Sequence, residues 1–172
     1  MADYYGSLAD ALAYHESRGN AAWTSVGVDD AKREAALLRA SEAIDGIYGP
    51  RFPGKKVSRS QARAWPRTGA VDLCSNEQIP EDETPVEVEN ATYALALAEL
   101  TAPGSSTPTL TLGKSVKRQK VGSIEREFFS PQEGVPITIE SLRPVLTAVE
   151  DALRCIITPD PSKGGTFKLE RF

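Results

Sequence analysis

An aromatic residue between two arginines is the part of this sequence whose residue types could do chemistry. Trp65 follows Arg63 and precedes Pro66 and Arg67, within the segment "ARAWPRTGAVDL" at 62–73. An aromatic ring beside cations is typical of a surface on which single-stranded nucleic acid stacks its bases. The same residue types are typical of the centre of a subunit interface. The pattern alone leaves both interpretations open.

Residues that carry catalysis or bind metals are too few or too far apart to predict an enzyme. The single histidine, His15, and the distant Cys74 and Cys155 do not make a zinc site, and His15 is expected to be structural or at the surface. "LGKS" lacks the earlier glycine of a phosphate loop, since Pro108 stands in its place. The acids at 81–83 are explained by the positive end of a helix that follows them. No catalytic residue, cofactor or metal is therefore predicted.

Composition indicates a soluble chain of about one domain. Its 172 residues are 40% hydrophobic with a net charge of -4, and no apolar run reaches the roughly 20 residues of a membrane span. The N-terminus lacks the basic and apolar regions of a signal peptide. The chain is therefore expected to be made in a cytoplasm, with Cys74 and Cys155 as two buried thiols rather than a disulfide. A pI of 5.2 disfavours a dedicated sequence-reading nucleic-acid domain.

Charge is strongly segregated along the chain. Residues 50–71 hold six basic residues and no acid, whereas residues 68–113 hold eight acids and neither lysine nor arginine. One interpretation is an ordinary solvated surface. The other is a polar subunit whose basic side meets the acidic side of another copy, since such complementarity fixes register more than affinity.

Helical spacing and capping residues predict a mainly α fold, a small bundle of about four helices. Ser7 and Thr84 are predicted N-caps, and Ser58 with Gln61 predicts a further short helix that ends before Pro66. In the third helix, the core stripe is expected to include Val88, Ala91, Ala94, Leu95 and Ala98. The predicted helices cover 8–18, 29–48, 84–101 and 141–156, with the short one at 58–65.

The remaining segments predict a β-hairpin and an arm. Residues 116–121 and 124–129 alternate in part around a Gly-Ser turn, which predicts a hairpin at about 114–129. The loop "GPRFPGKK" is expected to lack regular structure because of its prolines and glycines. The domain is expected to cover 1–157, followed by an extended C-terminal arm at 158–172.

Five blocks together resemble one family of small tailed-phage proteins, labelled "putative DnaT-like single-stranded DNA-binding protein". Its helical layout is similar to that of head–tail connector, or adaptor, proteins. The resemblance covers about residues 5–129. The blocks are "AYHESRGNAAW" at 13–23, "ALLRASEAIDGIYGPRFPG" at 36–54, "QARAWPRTG" at 61–69, "IPEDETPVEVENATYALALAEL" at 79–100 and "VKRQKVGSIEREF" at 116–128.

The resemblance implies a structural virion protein made in the host bacterial cytoplasm and located in the neck of the virion. It implies a homo-oligomeric ring, usually of twelve subunits, beneath the portal protein and above a tail or neck protein. Double-stranded DNA would pass through the lumen without being read, and the hairpin would either line that lumen or contact a partner. Head-to-tail contacts close such a ring.

Trp65 and Pro66 are expected to form a packed corner, with Trp65 mostly buried against the helices. The expected subunit interface joins arginines of one copy to acids of the next, namely Arg63 and Arg67 to Glu81, Asp82 and Glu83.

The arm is expected to dock on the portal or an adjacent subunit through alternating and terminal side chains. These are Phe167, Leu169, Arg171 and Phe172.

The alternative function is a replication accessory protein that binds single-stranded DNA. It would use base stacking and phosphate contacts by Arg63, Trp65, Arg67 and Phe52.

Overall fold

The computed structural model describes residues 3–107, 118–121, 124–127 and 147–159, with the backbone alone for the second and third of these ranges. The chain divides into one compact unit of Met1–Ser106 with Leu146–Phe172, and a second unit of Thr107–Val145. In the described ranges, no helix is long and apolar enough to span a membrane. The predicted arm residues Phe167, Leu169, Arg171 and Phe172 lie outside the described residues.

Four helices make the first unit mainly α, which confirms the predicted fold class. Ser7 Oγ accepts from Asp10 N at 3.1 Å and Asp29 Oδ1 accepts from Lys32 N at 2.9 Å, so side chains cap the first two helices. The third follows Pro85 rather than a Thr84 cap. The helices are α1 (Leu8–Glu16), α2 (Asp30–Tyr48), α3 (Val86–Thr101) and α4 (Thr147–Leu153), with 3₁₀ turns at Ala21–Thr24 and Gly49–Arg51.

The core lies where α3 packs against α2, α4 and α1. Small residues such as Ala40 and Ala91 allow the two long helices to approach closely, while larger side chains fill the remaining space. The largest fully buried apolar side chains are Trp23, Leu37, Ile44, Tyr48, Trp65, Val88, Leu153 and Ile156.

The predicted helix at 58–65 does not form, because these residues make turns and bends between two short strands, so that prediction was wrong. β1 (Lys55–Lys56) pairs antiparallel with β2 (Arg67–Thr68), which also adds regular structure to a loop expected to have none. Gln61 explains the difference. Its Oε1 accepts from Ser58 N at 2.8 Å, as a capping box requires, but its Nε2 donates to the carbonyls of Arg63 and Pro66. The side chain thereby satisfies a turn instead of a helix.

The second unit contains the predicted hairpin. β3 (Arg118–Val121) pairs antiparallel with β4 (Ile124–Glu127), with Arg118 opposite Glu127 and Val121 opposite Ile124. The hairpin is therefore confirmed over these residues, while the remaining ends of the predicted strands and the turn at 122–123 lie outside the described residues.

Cys74 and Cys155 form a disulfide, with their Cα atoms 5.1 Å apart, so the expectation of two free thiols was wrong. The two residues are 81 positions apart in sequence, but the loop after β2 meets the end of α4, where Leu73 N donates to Cys155 O at 2.7 Å. Distance along the chain did not indicate this proximity.

A charged side chain, Glu99, is buried in the last turn of α3, while Ala98 of the predicted stripe is exposed. Glu99 Oε2 accepts from Arg39 Nε at 3.1 Å and from Gly104 N at 2.7 Å. Glu99 Oε1 accepts from Ser106 N at 2.9 Å and Ser106 Oγ at 2.5 Å. Burial alone would raise the pKa of Glu99, but the hydrogen bonds from Ser106, Gly104 and Arg39 outweigh it and hold the pKa below its ordinary value.

His15 is a structural residue in the core rather than a surface residue. Its ring lies against Trp23, with centroids 4.3 Å apart, and its Nδ1 is 3.1 Å from Asn20 Nδ2. Burial lowers the pKa of His15 to about 4, so the ring is neutral near pH 7.

Acid is expected to destabilise the fold through His15. Because the folded pKa lies below the unfolded value of about 6.5, the unfolded state binds a proton first as the pH falls. We expect this residue to lower the free energy of unfolding by about 3 kcal/mol between pH 7 and pH 4. Urea unfolding at both pH values measures the loss, and His15→Gln should remove this part of the pH dependence. Since the chain has one histidine, NMR titration reports its pKa directly, and a value near 6.5 would contradict the prediction.

Candidate interaction surface

The aromatic residues of the opening motif lie in the core. Trp65 is 2% exposed and Phe52 is 5% exposed, and their rings pack edge to face with centroids 5.6 Å apart. The Trp65–Pro66 peptide bond is cis, and Trp65 N donates to the Tyr5 hydroxyl at 3.1 Å. Neither ring offers a free face for a nucleic-acid base, so the stacking role considered for Trp65 and Phe52 does not fit this arrangement.

Arg67 is buried and directs its guanidinium at the main chain of its own polypeptide. Its Nε donates to Pro53 O at 2.6 Å, and its Nη2 donates to Gly54 O at 2.7 Å and Phe52 O at 3.3 Å. Nη1 donates to Ala64 O at 3.2 Å. The expected contact of Arg67 with a neighbour's acids does not fit this position. These hydrogen bonds connect residues 52–54 with Ala64, on either side of the intervening loop.

Arg63 is also engaged within its own subunit. Its Nε donates to Asp3 O at 2.5 Å, and its guanidinium lies 3.6 Å from Asp45 and 3.9 Å from Glu42. Only 14% of its side chain is exposed. Like Arg67, Arg63 is therefore oriented toward its own chain rather than presented to a neighbour.

Asp45 connects Arg63 with the packed corner. Its Oδ1 accepts from the Tyr5 hydroxyl at 2.5 Å, and its Oδ2 accepts from Ala64 N at 3.2 Å. Burial raises the pKa of Asp45, although the bonds from Tyr5 and Ala64 and the charge of Arg63 oppose that rise. The buried network fixes the chain immediately after the loop.

Within residues 50–71, the exposed cations lie together on one loop, which we call the basic loop (residues 54–62). Lys55, Lys56 and Arg59 are exposed there, beside an exposed Val57. Gly54 begins the loop with a φ of +68°, and a Cβ atom at this position would collide with the Thr68 carbonyl oxygen. Together with the Gln61 side chain and the β1–β2 pairing, this glycine gives the basic loop a defined shape.

Glu81, the first of the three acids predicted at the interface, lies beside β2. Thr68 Oγ1 donates to Glu81 Oε1, and Glu81, Asp82 and Glu83 are all exposed. Since Thr68 pairs with Lys55, the basic loop and the acidic segment (residues 81–83) are neighbours on one subunit.

Negative charge accumulates further at the N-terminal ends of α1 and α3. Burial raises the pKa of Glu89, and the charges of Asp10 and Glu83 raise it further, which places these three acids close together. The exposed surface next to the basic loop is therefore acidic.

The base of the C-terminal arm is anchored near the start of the same loop. Thr158 N donates to Arg51 O at 2.9 Å, and Arg51 Nε donates to Thr158 O at 2.8 Å. A shallow cleft lies beside this anchor, lined by Arg51, Glu150, Asp151, Arg154, Ile157 and Pro159. Thr158, where the predicted arm begins, is thus held next to the 3₁₀ turn that precedes the basic loop.

Sequence reasoning identified the basic segment, but the two cations that it assigned to a subunit interface, Arg63 and Arg67, are hydrogen-bonded within their own chain. The cations of the segment that are exposed are Lys55, Lys56 and Arg59. The available signal was Gly54, because a glycine before a charged run favours a turn that exposes it.

Comparison with known proteins gives one family. The whole chain, residues 1–172, matches the model of a family described as "Putative DnaT-like ssDNA binding protein". No curated protein and no solved structure matches the chain.

Proposed function

We propose that this chain, which belongs to the putative DnaT-like ssDNA binding protein family, is a structural subunit of a tailed-phage virion. In this proposal it is a head–tail connector: copies form a closed ring beneath the portal and join it to a tail or neck protein. Genome DNA passes through the lumen, and the arm at 158–172 docks on the portal or the adjacent copy.

The observation that carries the proposal is which side chains are buried and which are exposed around Trp65 and Pro66. Phe52 and Trp65, which a stacking site would need, are in the core. What is exposed is a shaped basic loop without an exposed aromatic residue, beside an acidic surface. Such a pair of charged surfaces supports register between rigid copies more readily than it supports tight binding to a flexible polymer.

This geometry supports different contacts between copies from those predicted from the sequence. Lys55, Lys56 and Arg59 of one copy are proposed to face the acidic segment of the next copy. Because the backbone of the basic loop already has a defined shape, little backbone freedom is lost on contact. Head-to-tail repetition of this contact would then close the ring.

Reversing the loop charges is expected to prevent assembly. A variant with Lys55→Glu, Lys56→Glu and Arg59→Glu should attach to portal-bearing heads at least about tenfold less than wild type, because like charges then meet between copies. A second variant, Asp82→Lys with Glu83→Lys, should fail for the same reason. Attachment is measured by sedimentation of the heads with the labelled chain.

An equal mixture of the two variants provides the decisive comparison. In an alternating ring, every contact regains opposite charges, so attachment should return to near the wild-type level. Lys32→Glu, an exposed cation outside the loop, is the control and should assemble normally. The proposal is wrong if the mixture stays defective, or if reconstruction of the heads shows two copies instead of a closed ring.

The family's description favours a second candidate function, single-stranded DNA binding. In this fold it would depend on phosphate contacts by the three exposed loop cations and not on base stacking. Full neutralisation of three phosphates predicts a slope of about -2 in log K against log salt concentration.

A salt titration with a fluorescent oligonucleotide tests this candidate. Replacing Lys55, Lys56 and Arg59 by glutamine should abolish whatever binding occurs. Because both tryptophans, Trp23 and Trp65, are buried, DNA should leave their intrinsic fluorescence unchanged. Tight binding with strong tryptophan quenching would contradict both the connector proposal and the placement of Trp65.

A further inference from the structure

The loop after β2 holds an acid and a cysteine in a fixed arrangement. Val71 and Gln78 form an isolated antiparallel bridge, and within it Asp72 N donates to Glu77 O at 2.9 Å. Asp72 Oδ1 accepts from Cys74 N at 2.7 Å and from Ser75 N at 3.0 Å. These bonds orient the Asp72 carboxylate toward the backbone of Cys74.

The end of α4 brings the second cysteine to the same place. Besides the disulfide, Leu73 N donates to Cys155 O at 2.7 Å, so a main-chain contact joins the two segments on its own. A carboxylate oxygen of Asp72 and both sulfur atoms lie within 4.8 Å of one another. Cys74 is exposed and Cys155 is half-buried, so reductants and ions reach the cluster from solvent.

We propose that, in the reduced chain, Asp72, Cys74 and Cys155 form a site for a thiophilic divalent cation such as Zn²⁺. The disulfide and the cation are then alternative occupants of one site. Two thiolates and a carboxylate are ligands that zinc takes in tetrahedral sites, and a fourth position stays open to water or another ligand.

The geometry suits this exchange. Zinc–sulfur bonds of about 2.3 Å in a tetrahedral site set the two sulfur atoms about 3.8 Å apart. Side-chain rotation provides that separation for cysteines whose Cα atoms are 5.1 Å apart, while the Leu73–Cys155 main-chain bond stays in place. The carboxylate of Asp72 needs no large movement, because it already lies beside both sulfurs.

Reduction of the disulfide, binding of the cation and reoxidation each use a reactant that can be named. A phosphine reductant and one water convert the disulfide to two thiols, and the phosphine becomes its oxide. The cation then displaces the two thiol protons to solvent and bonds to both sulfurs. Reoxidation needs an oxidant such as a disulfide of a small thiol, which accepts the two electrons and releases the cation.

The test uses the full chain, reduced by a phosphine, desalted without oxygen and titrated with Co²⁺ as a spectroscopic probe. We expect one Co²⁺ per chain with an intense near-ultraviolet thiolate-to-cobalt band, and its displacement by Zn²⁺. Cys74→Ser and Cys155→Ser should lose the band. Asp72→Asn should weaken binding by at least about tenfold, since even outer-shell partners of metal sites cost 10- to 100-fold. Asp82→Asn, an exposed acid outside the cluster, should bind like wild type.

A measurement on the unaltered chain covers the case in which a variant fails to fold. Saturating Zn²⁺ should slow alkylation of both thiols in the reduced wild-type chain, as followed by mass spectrometry. The proposal is overturned if reduced wild type shows no saturable cobalt band, if Zn²⁺ leaves alkylation unchanged, or if Asp72→Asn binds as tightly as Asp82→Asn.

Discussion

Replacing Arg67 by methionine is expected to lower the free energy of unfolding by about 4 kcal/mol. The guanidinium donates to the carbonyls of Phe52, Pro53, Gly54 and Ala64, and the side chain is 8% exposed. A buried carbonyl that loses its donor costs about 1–3 kcal/mol, and water recovers part of that for those nearest the surface. Methionine fills a similar volume, so the decrease in the free energy of unfolding reflects the lost hydrogen bonds rather than a cavity. Urea unfolding followed by tryptophan fluorescence measures it.

Arg59→Met is the matched control for Arg67→Met. Both arginines belong to the same basic segment, but Arg59 is exposed, and its replacement should change the free energy of unfolding by at most about 0.5 kcal/mol. Arg67→Lys should also be clearly destabilising, because one ammonium group does not reproduce the planar fork of a guanidinium. Equal effects of Arg67→Met and Arg59→Met would show that the observed hydrogen bonds do not support the fold.

Replacing Glu99 by glutamine is expected to cost about 3 kcal/mol at pH 7. The fully buried carboxylate accepts from Arg39, Gly104 and Ser106. Glutamine turns one acceptor into a donor that faces other donors, and it removes the charge that pairs with Arg39. Breaking a buried pair by removing one partner typically costs 3–5 kcal/mol, and here the partial exposure of Arg39 places the expectation at the lower end.

The pH dependence shows whether the stability lost in Glu99→Gln comes from the missing charge or from the changed hydrogen-bonding groups. Since the folded pKa of Glu99 lies below its ordinary value, its contribution is complete above the unfolded pKa of about 4.3 and is lost as the pH falls through the folded pKa. The difference between wild type and Glu99→Gln should therefore shrink in acid. Glu77→Gln, an exposed control, should be nearly neutral, and a wild-type advantage that stayed constant into strong acid would contradict the assigned role.

The long helices were predictable because their signals are local. A cap such as Ser7, a stop such as Gly49-Pro50 and apolar residues at helical spacing each act within a few positions, and α1, α2 and α3 follow them closely. The exception is residues 58–65. There the local capping signal formed its hydrogen bond from Ser58 to Gln61 without a helix, because Gln61 also bonds Arg63 and Pro66.

The candidate surface was predictable only in outline. The sequence alone determined that cations cluster between residues 50 and 71 and that acids follow them. It did not separate Arg67, which binds four carbonyls, from Arg59, which faces solvent, because the two residues have the same type and similar neighbours in the chain.

By itself, then, the sequence determined the helices, the hairpin and the segregation of charge, all of which depend on hydrogen bonds and periodicity between near neighbours. Tertiary structure decided that Arg67 binds carbonyls of its own chain, that Glu99 is buried with Arg39, and that Cys74 meets Cys155 across 81 positions. Each of these depends on which helix faces share the core, and the free energy of that choice is spread over contacts distant in sequence.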